Sequence, residues 1–274
     1  MSRRRKINPA SNTQPPSLLL LALESRVALD AASMAPMFAL RRLLPRGDRH
    51  PVLFLPGFLT SSRATWPLRR YFAGLNYASH RWKLGTNLGY NDEMRERIAD
   101  RILNLQRRYD SKVSLVGWSL GGIYARELAR DLPDSVRQVI TMGSPFRGVP
   151  ESTNVLRIYN YVTSNHLERD RHLLDGIADP PPVPTTALYS RSDGVVAWQG
   201  TVENSPRQDV QNIHVGGAHV GLGFNARALI ALADRLAQPE DNWQRFEPRG
   251  LLKMLFTSHY PDWLVGPPEP DWVG

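Results

Sequence analysis

An apolar run, Val113-Ser114-Leu115-Val116, leads straight into Gly117-Trp118-Ser119-Leu120-Gly121, and a helical pattern continues from Gly122 to Arg130. No other stretch limits the architecture as much. It describes a buried strand, a turn of almost no length, and a helix that doubles back. A serine at such a turn is forced into a strained backbone conformation and projects its hydroxyl outward. The glycines two before and two after leave room for the turn, because a Cβ there would meet the neighbouring strand or helix. The helix starting at Leu120 aims free N–H groups and the positive end of its dipole at the same place. An ordinary glycine-rich β–α turn would satisfy the same pattern, so the rest of the chain has to decide.

From Pro51 onward, strand-like and helix-like segments alternate. Strands are expected at Pro51–Leu55, about 77–84, Lys112–Val116, Val136–Met142, Thr185–Tyr189 and Gln211–Val215. Helices are expected at 65–75, with Thr65 or Ser62 as cap, at 91–109, with Met94, Ile98, Ile102 and Leu105 as apolar stripe, and at 225–236. This alternation implies right-handed crossovers and an α/β fold: a mostly parallel sheet with helices on both faces. The rhythm lapses over about 146–183, which reads as a small helical cap inserted into a domain spanning 50–237. Before the domain lie a basic arm expected to be disordered (1–16) and a helical extension (17–49). After it, 238–274 is a proline-rich tail with aromatics dense enough to wrap a surface.

A formal net charge of +8 raises the question of anionic partners. The arginines are scattered and often sit beside acids, as in Arg95-Glu96-Arg97, so no nucleic-acid partner is expected. The chain has no cysteine, which removes disulfides and thiolate metal sites. The run Leu18–Leu23 stops at Glu24, short of the roughly 7–15 apolar residues of a secretory core. No run approaches the ~18 residues that cross a bilayer. A cytoplasmic location is expected. The extension, with Leu23, Val27, Ala31, Met34 and Phe38 at helical spacing, is expected to pack on the domain; weak peripheral membrane contact is the alternative. Oligomeric state is not set by these features.

Ligands of parallel sheets bind at the carboxyl ends of the strands. Four strand ends carry candidate groups: Gly57 and Phe58; Ser119; Ser190-Arg191-Ser192-Asp193-Gly194; and Gly216-Gly217-Ala218-His219. A nucleophile, an acid and a base thus occur in the order Ser, Asp, His, each on its own loop. The chemistry asks for them. A serine hydroxyl needs a base to take its proton. Histidine takes and returns protons near neutrality, and a buried carboxylate fixes its tautomer.

With these residues in place, the chain resembles the α/β-hydrolase family, in its lipase and esterase branch, over about 50–237. The resemblance rests on Leu55-Pro56-Gly57-Phe58, Gly117–Gly121, Met142–Gly148, Tyr189–Val196 and Ala218–Leu222. It implies Ser119 as nucleophile, His219 as base and acid, and Asp193 as the residue orienting His219. It also implies an oxyanion hole from the backbone N–H groups of Leu120 and Phe58. Phe58 and Trp118 are expected both in the core and lining a substrate pocket, and Phe146 is expected at that pocket. The activity implied is hydrolysis of a small-molecule or lipid carboxylic ester through an acyl-serine, with no metal or organic cofactor. Acyl transfer with the same residues is the alternative, and a non-catalytic membrane-surface or binding module is a third reading. Asp193-Gly194 also fits a plain turn; Asp175 and Asp209 are the other acids and His214 the other base, with His166, His172 and His259 in the insertion or tail. Pro56-Gly57 stands where many lipases have His-Gly.

Overall fold

The computed structural model describes residues 14–90, 92–147, 153, 154 and 176–256. Strands β1 (Pro51–Leu55), β2 (Ala78–Arg81), β3 (Val113–Trp118), β4 (Val136–Met142), β5 (Thr185–Tyr189) and β6 (Val210–His214) form one six-stranded sheet in the order β2-β1-β3-β4-β5-β6. Every pairing is parallel. The strands read as apolar runs because both faces are covered: all residues of β1, β3 and β5 are buried.

Side chains alternate across the pleat, so two cores form. Val52, Phe54, Val116 and Ile140 pack with α2 (Val27–Leu40), α3 (Trp66–Ala73) and α6 (Ala226–Leu236). Leu53, Leu55, Leu115 and Val139 pack on the other face with α4 (Asp92–Tyr109) and α5 (Leu120–Asp131). The expected stripe of α4 is buried at Ile98, Ile102 and Leu105. Asn225 caps α6, its side chain accepting from the N–H groups of Arg227 and Ala228. Thr65 occupies the cap position of α3 but makes no side-chain cap bond. The strand expected over 77–84 ends at Arg81, because Trp82 turns fully inward and donates its indole N–H to the Gly85 carbonyl (3.0 Å) while Lys83 takes φ 65°.

The extension consists of α1 (Leu18–Ala22), a 3-10 turn (Leu23–Arg26) and α2. It packs on the domain along a face that shares Met34 and Phe38 with the expected stripe and adds Asp30. The buried positions are Leu20, Asp30, Met34 and Met37, while Phe38 is partly buried. Asp30 faces inward and accepts from the Ala218 N–H (3.1 Å) and the Asn225 side-chain amide (2.8 Å). At the other terminus α7 (Leu251–Phe256) brings Phe256 against Phe246, ring centroids 4.8 Å apart. The basic arm up to residue 13, most of the insertion (including Asp175, His166 and His172), and 257–274 (including His259) lie outside the described residues.

Candidate active site

Ser119 stands between β3 and α5 with φ 52° and ψ −123°, a left-handed backbone that L residues rarely adopt. Neighbours on every side hold it there. Its N–H donates to the Met142 carbonyl at the end of β4 (2.8 Å), and its carbonyl accepts from the Gly122 N–H (2.9 Å). A Cβ on Gly121 would run into the Leu55 carbonyl, so only glycine lets α5 start so close to β1. Leu120 opens α5, where the first N–H groups have no intrahelical partner.

Asp193 and His219 come from the loops after β5 and β6, and their side chains meet. His219 Nδ1 lies 2.6 Å from Asp193 Oδ2. The other carboxylate oxygen, Oδ1, accepts from the N–H groups of Val195 and Val196, both at 2.8 Å. Asp193 is therefore more than a turn residue. It is 3% exposed, and its two oxygens serve the loop and the imidazole separately. That fixes the His219 tautomer: Nδ1 carries the proton towards Asp193, and Nε2 is left as the basic nitrogen. Burial pulls the pKa of His219 down, but the charge and hydrogen bond of Asp193, helped by Glu24, outweigh it and raise it above the ordinary value.

Ser119 and His219 each adjoin the end of β4. Met142 receives the Ser119 N–H, and the next residue, Gly143 (φ 57°), faces the imidazole: a Cβ there would sit 3.1 Å from Nδ1. Among the described residues no hydrogen bond joins Ser119 Oγ to the imidazole; contacts of this kind often tighten only around substrate. Phe58 follows Gly57 in the turn after β1. That turn is tied down by Asn87, which is fully buried: its side-chain amide donates to the Pro56 carbonyl (2.9 Å), and its backbone carbonyl accepts from the Leu59 N–H (2.7 Å).

Two of the aromatics expected at the pocket, Trp118 and Phe146, are buried. Trp118 is 6% exposed, donates its indole N–H to the His219 carbonyl (3.2 Å) and packs edge-on to Phe224. Phe146 is 1% exposed and lies beneath the Arg126 guanidinium, 3.7 Å from its ring centroid. Trp118 thus supports the loop carrying His219 from below, and Phe146 supports the base of the insertion. Asp209 pairs with Arg207 (2.6 Å) away from any imidazole. His214 ends β6, and burial, with the charges of Arg191 and Arg227, lowers its pKa to about 4. Among the described residues no His, Asp and Glu cluster could hold a metal ion, and no helix is long and apolar enough to cross a membrane.

Glu24 was not anticipated from the sequence. Its Oε1 accepts from the N–H groups of Gly194 (2.8 Å) and His219 (2.9 Å), and its Oε2 from Val220 (3.0 Å). One carboxylate of the N-terminal extension therefore ties together the loops bearing Asp193 and His219. Arg26 adds a bond to the Ser192 carbonyl (2.9 Å). The only hint in the sequence is a charge interrupting the Leu18–Leu23 run. A second Ser–His–Asp string is present, with His50 Nε2 2.9 Å from Ser114 Oγ and Nδ1 2.5 Å from Asp48. It lies where β1 and β3 begin, and Ser114 is 0% exposed, so that hydroxyl is closed to substrate.

Residues 52–239 match the family model of the alpha/beta hydrolase fold. Among solved structures, Aspergillus fumigatus lipase B is similar with a TM-score of 0.56 at 19% identity, over 80% of this chain and 60% of that one. This chain therefore spans about three fifths of that lipase. The structure reported for LipS and LipT, two metagenome-derived lipolytic enzymes, gives 0.55 at 16% identity, over 71% of this chain and 94% of that one. Bacillus licheniformis lipase BlEst2 in mature form gives 0.53 at 15%, over 70% and 94%. No curated protein matches. The family match covers well over half of the chain, and the parallel sheet and strand-end loops agree with it: this protein belongs to the α/β-hydrolase fold family.

Proposed function

We propose that the protein hydrolyses carboxylic esters, with Ser119 as nucleophile, His219 as base and acid, and Asp193 holding His219. The observation that carries this reading is the 2.6 Å contact between Asp193 and His219, at the same strand ends as a serine held at φ 52°. His219 Nε2 takes the Ser119 hydroxyl proton as Oγ attacks the ester carbonyl carbon. The oxygen of the tetrahedral adduct gains the charge, which the N–H groups of Leu120 and Phe58 stabilise. The C–O bond then breaks, and His219 returns the proton to the departing alcohol. Water, deprotonated by the same nitrogen, attacks the acyl-serine and releases the acid.

Two further features support an apolar ester. Leu59, beside Phe58, and Val220, beside His219, are each 45% exposed, so apolar side chains flank the machinery on two sides. The solved structures with the same fold include proteins named as lipases and lipolytic enzymes.

A fluorophosphonate probe tests the assignment. It should label Ser119 stoichiometrically and leave Ser119→Ala unlabelled, and Ser119→Ala should lose turnover of 4-nitrophenyl esters of graded chain length. Labelling that persists in Ser119→Ala would refute the nucleophile. Labelling of Ser119 without hydrolysis, accompanied by ester formation with an added alcohol, would replace hydrolysis by acyl transfer.

A further inference from the structure

The free edge of the sheet holds a cavity that the reaction above does not use. It has a volume of about 320 Å³ and gathers Arg69, Arg81, Lys83, Arg101 and Arg108 around edge strand β2. Three elements contribute. Arg69 comes from α3 on one face of the sheet, Arg101 and Arg108 from α4 on the other, and Arg81 and Lys83 from the strand and the turn after it.

No carboxylate lines the cavity, and among the described residues none of these five cations forms an ion pair. Their charges oppose one another. Burial lowers the pKa of Arg69 and of Arg101, and the charge of Arg81 lowers both further. His80, also on the wall, is lowered to about 4 by burial and by Arg101, Arg108 and Lys83, so it is neutral at pH 7. Ser79 adds a buried hydroxyl with no hydrogen-bond partner.

Basic residues on an edge strand often serve only to block edge-to-edge pairing. That role would account for Arg81 and Lys83. It does not account for two helices on opposite faces turning guanidinium groups into the same cavity. These groups are held in place: Arg69 donates to the Ser62 carbonyl (2.9 Å), and Arg101 Nε donates to the Arg81 carbonyl (2.8 Å). Arg101 thus keeps its terminal nitrogens for a ligand. Forked guanidinium donors and a point-charge ammonium suit a compact anion of high charge.

We propose that this cavity is a binding site for a phosphoryl group carrying two or more negative charges, whose charge supplies the missing counter-ions. The site lies two strands from β3, which carries Ser119, and so is separate from the ester-cleaving residues. A soluble phosphate compound and a phospholipid headgroup offer the same chemistry.

The test uses the full chain, calorimetry with inorganic pyrophosphate at low salt, and sedimentation with phosphatidylcholine vesicles with or without phosphatidic acid. Arg81→Gln/Arg108→Gln is the informative variant, since both side chains are exposed and neither makes a hydrogen bond within the protein that holds an element in place. Arg70→Gln, on α3 but outside the cavity, is the charge-matched control, made singly and together with Arg249→Gln. Saturable pyrophosphate binding weakened about tenfold or more by the cavity pair, but not by the control pair, is expected. Hydrolysis of a nitrophenyl ester should be unchanged in the cavity pair. Pyrophosphate binding identifies a soluble phosphate ligand. Binding only to vesicles with phosphatidic acid, with the same variant dependence, identifies a headgroup. Absence of saturable binding in both arms, or equal loss in cavity and control pairs, would overturn the proposal.

Discussion

Glu24 lies far from the nucleophile in sequence, yet its removal should slow the reaction. Its carboxylate accepts three backbone N–H groups, from Gly194, His219 and Val220, at 2.8, 2.9 and 3.0 Å. A hydrogen bond to a charged acceptor contributes about 1.5–3 kcal/mol. The Val220 bond is exposed and counts least, while the other two are partly buried, so water recovers part of their loss. Glu24→Ala should then cost about 2–3 kcal/mol of loop ordering. If that energy holds Asp193 and His219 in register, kcat falls roughly 30- to 150-fold. Glu24→Gln keeps one accepting oxygen but sets an NH2 group against the Val220 N–H and removes the charge. Its cost is about 1 kcal/mol, roughly fivefold in kcat.

The pH profile distinguishes positioning from general destabilisation. His219 must be neutral to act as base, so activity rises with pH through its pKa. Burial lowers that pKa, Asp193 raises it most, and Glu24 raises it further. Removing the Glu24 charge should therefore shift the acidic limb of kcat/KM to lower pH, while the plateau falls. Both variants are measured with a nitrophenyl ester across pH 4.5–9, alongside thermal melts. An unchanged kcat and an unmoved limb in folded Glu24→Ala would refute this reasoning.

Two further outcomes are expected. A Cβ on Gly194 would collide with the Leu20 backbone carbonyl, so Gly194→Ala should lift the N-terminal extension off the Asp193 loop, lower kcat, and increase protease nicking within 14–44. Arg126 and Glu203 form an ion pair with both side chains almost wholly buried, and Arg126 Nε donates to the Ile177 carbonyl (2.9 Å). Arg126→Met should cost about 3–5 kcal/mol, a drop of roughly 6–20 °C in Tm, and Arg126→Met with Glu203→Leu should recover much of it; a double variant no more stable than the single would contradict this.

Much was legible before any coordinates. Strands buried on both faces leave uninterrupted apolar runs, and α4 leaves a stripe of Ile98, Ile102 and Leu105, because these patterns follow from local period and burial. The turn around Ser119 was legible because sterics at a strand-to-helix junction admit few residue types. Asp193 and His219 were nominated by their positions after strands. Their 2.6 Å meeting is a tertiary fact, since 26 residues separate them and only the adjacency of β5 and β6 closes the gap.

What the sequence left open has a common cause. A hydrophobic stripe does not reveal which way a helix turns when a carboxylate finds buried donors, as Asp30 does at Ala218 and Asn225. Nor does a sequence show that Phe146 will lie under Arg126. Local pattern determined which elements form and which side chains stand at the strand ends. Folding decided which backbone N–H groups lacked partners, and therefore that Glu24 and Asp30, from a segment outside the sheet, would be the residues to satisfy them.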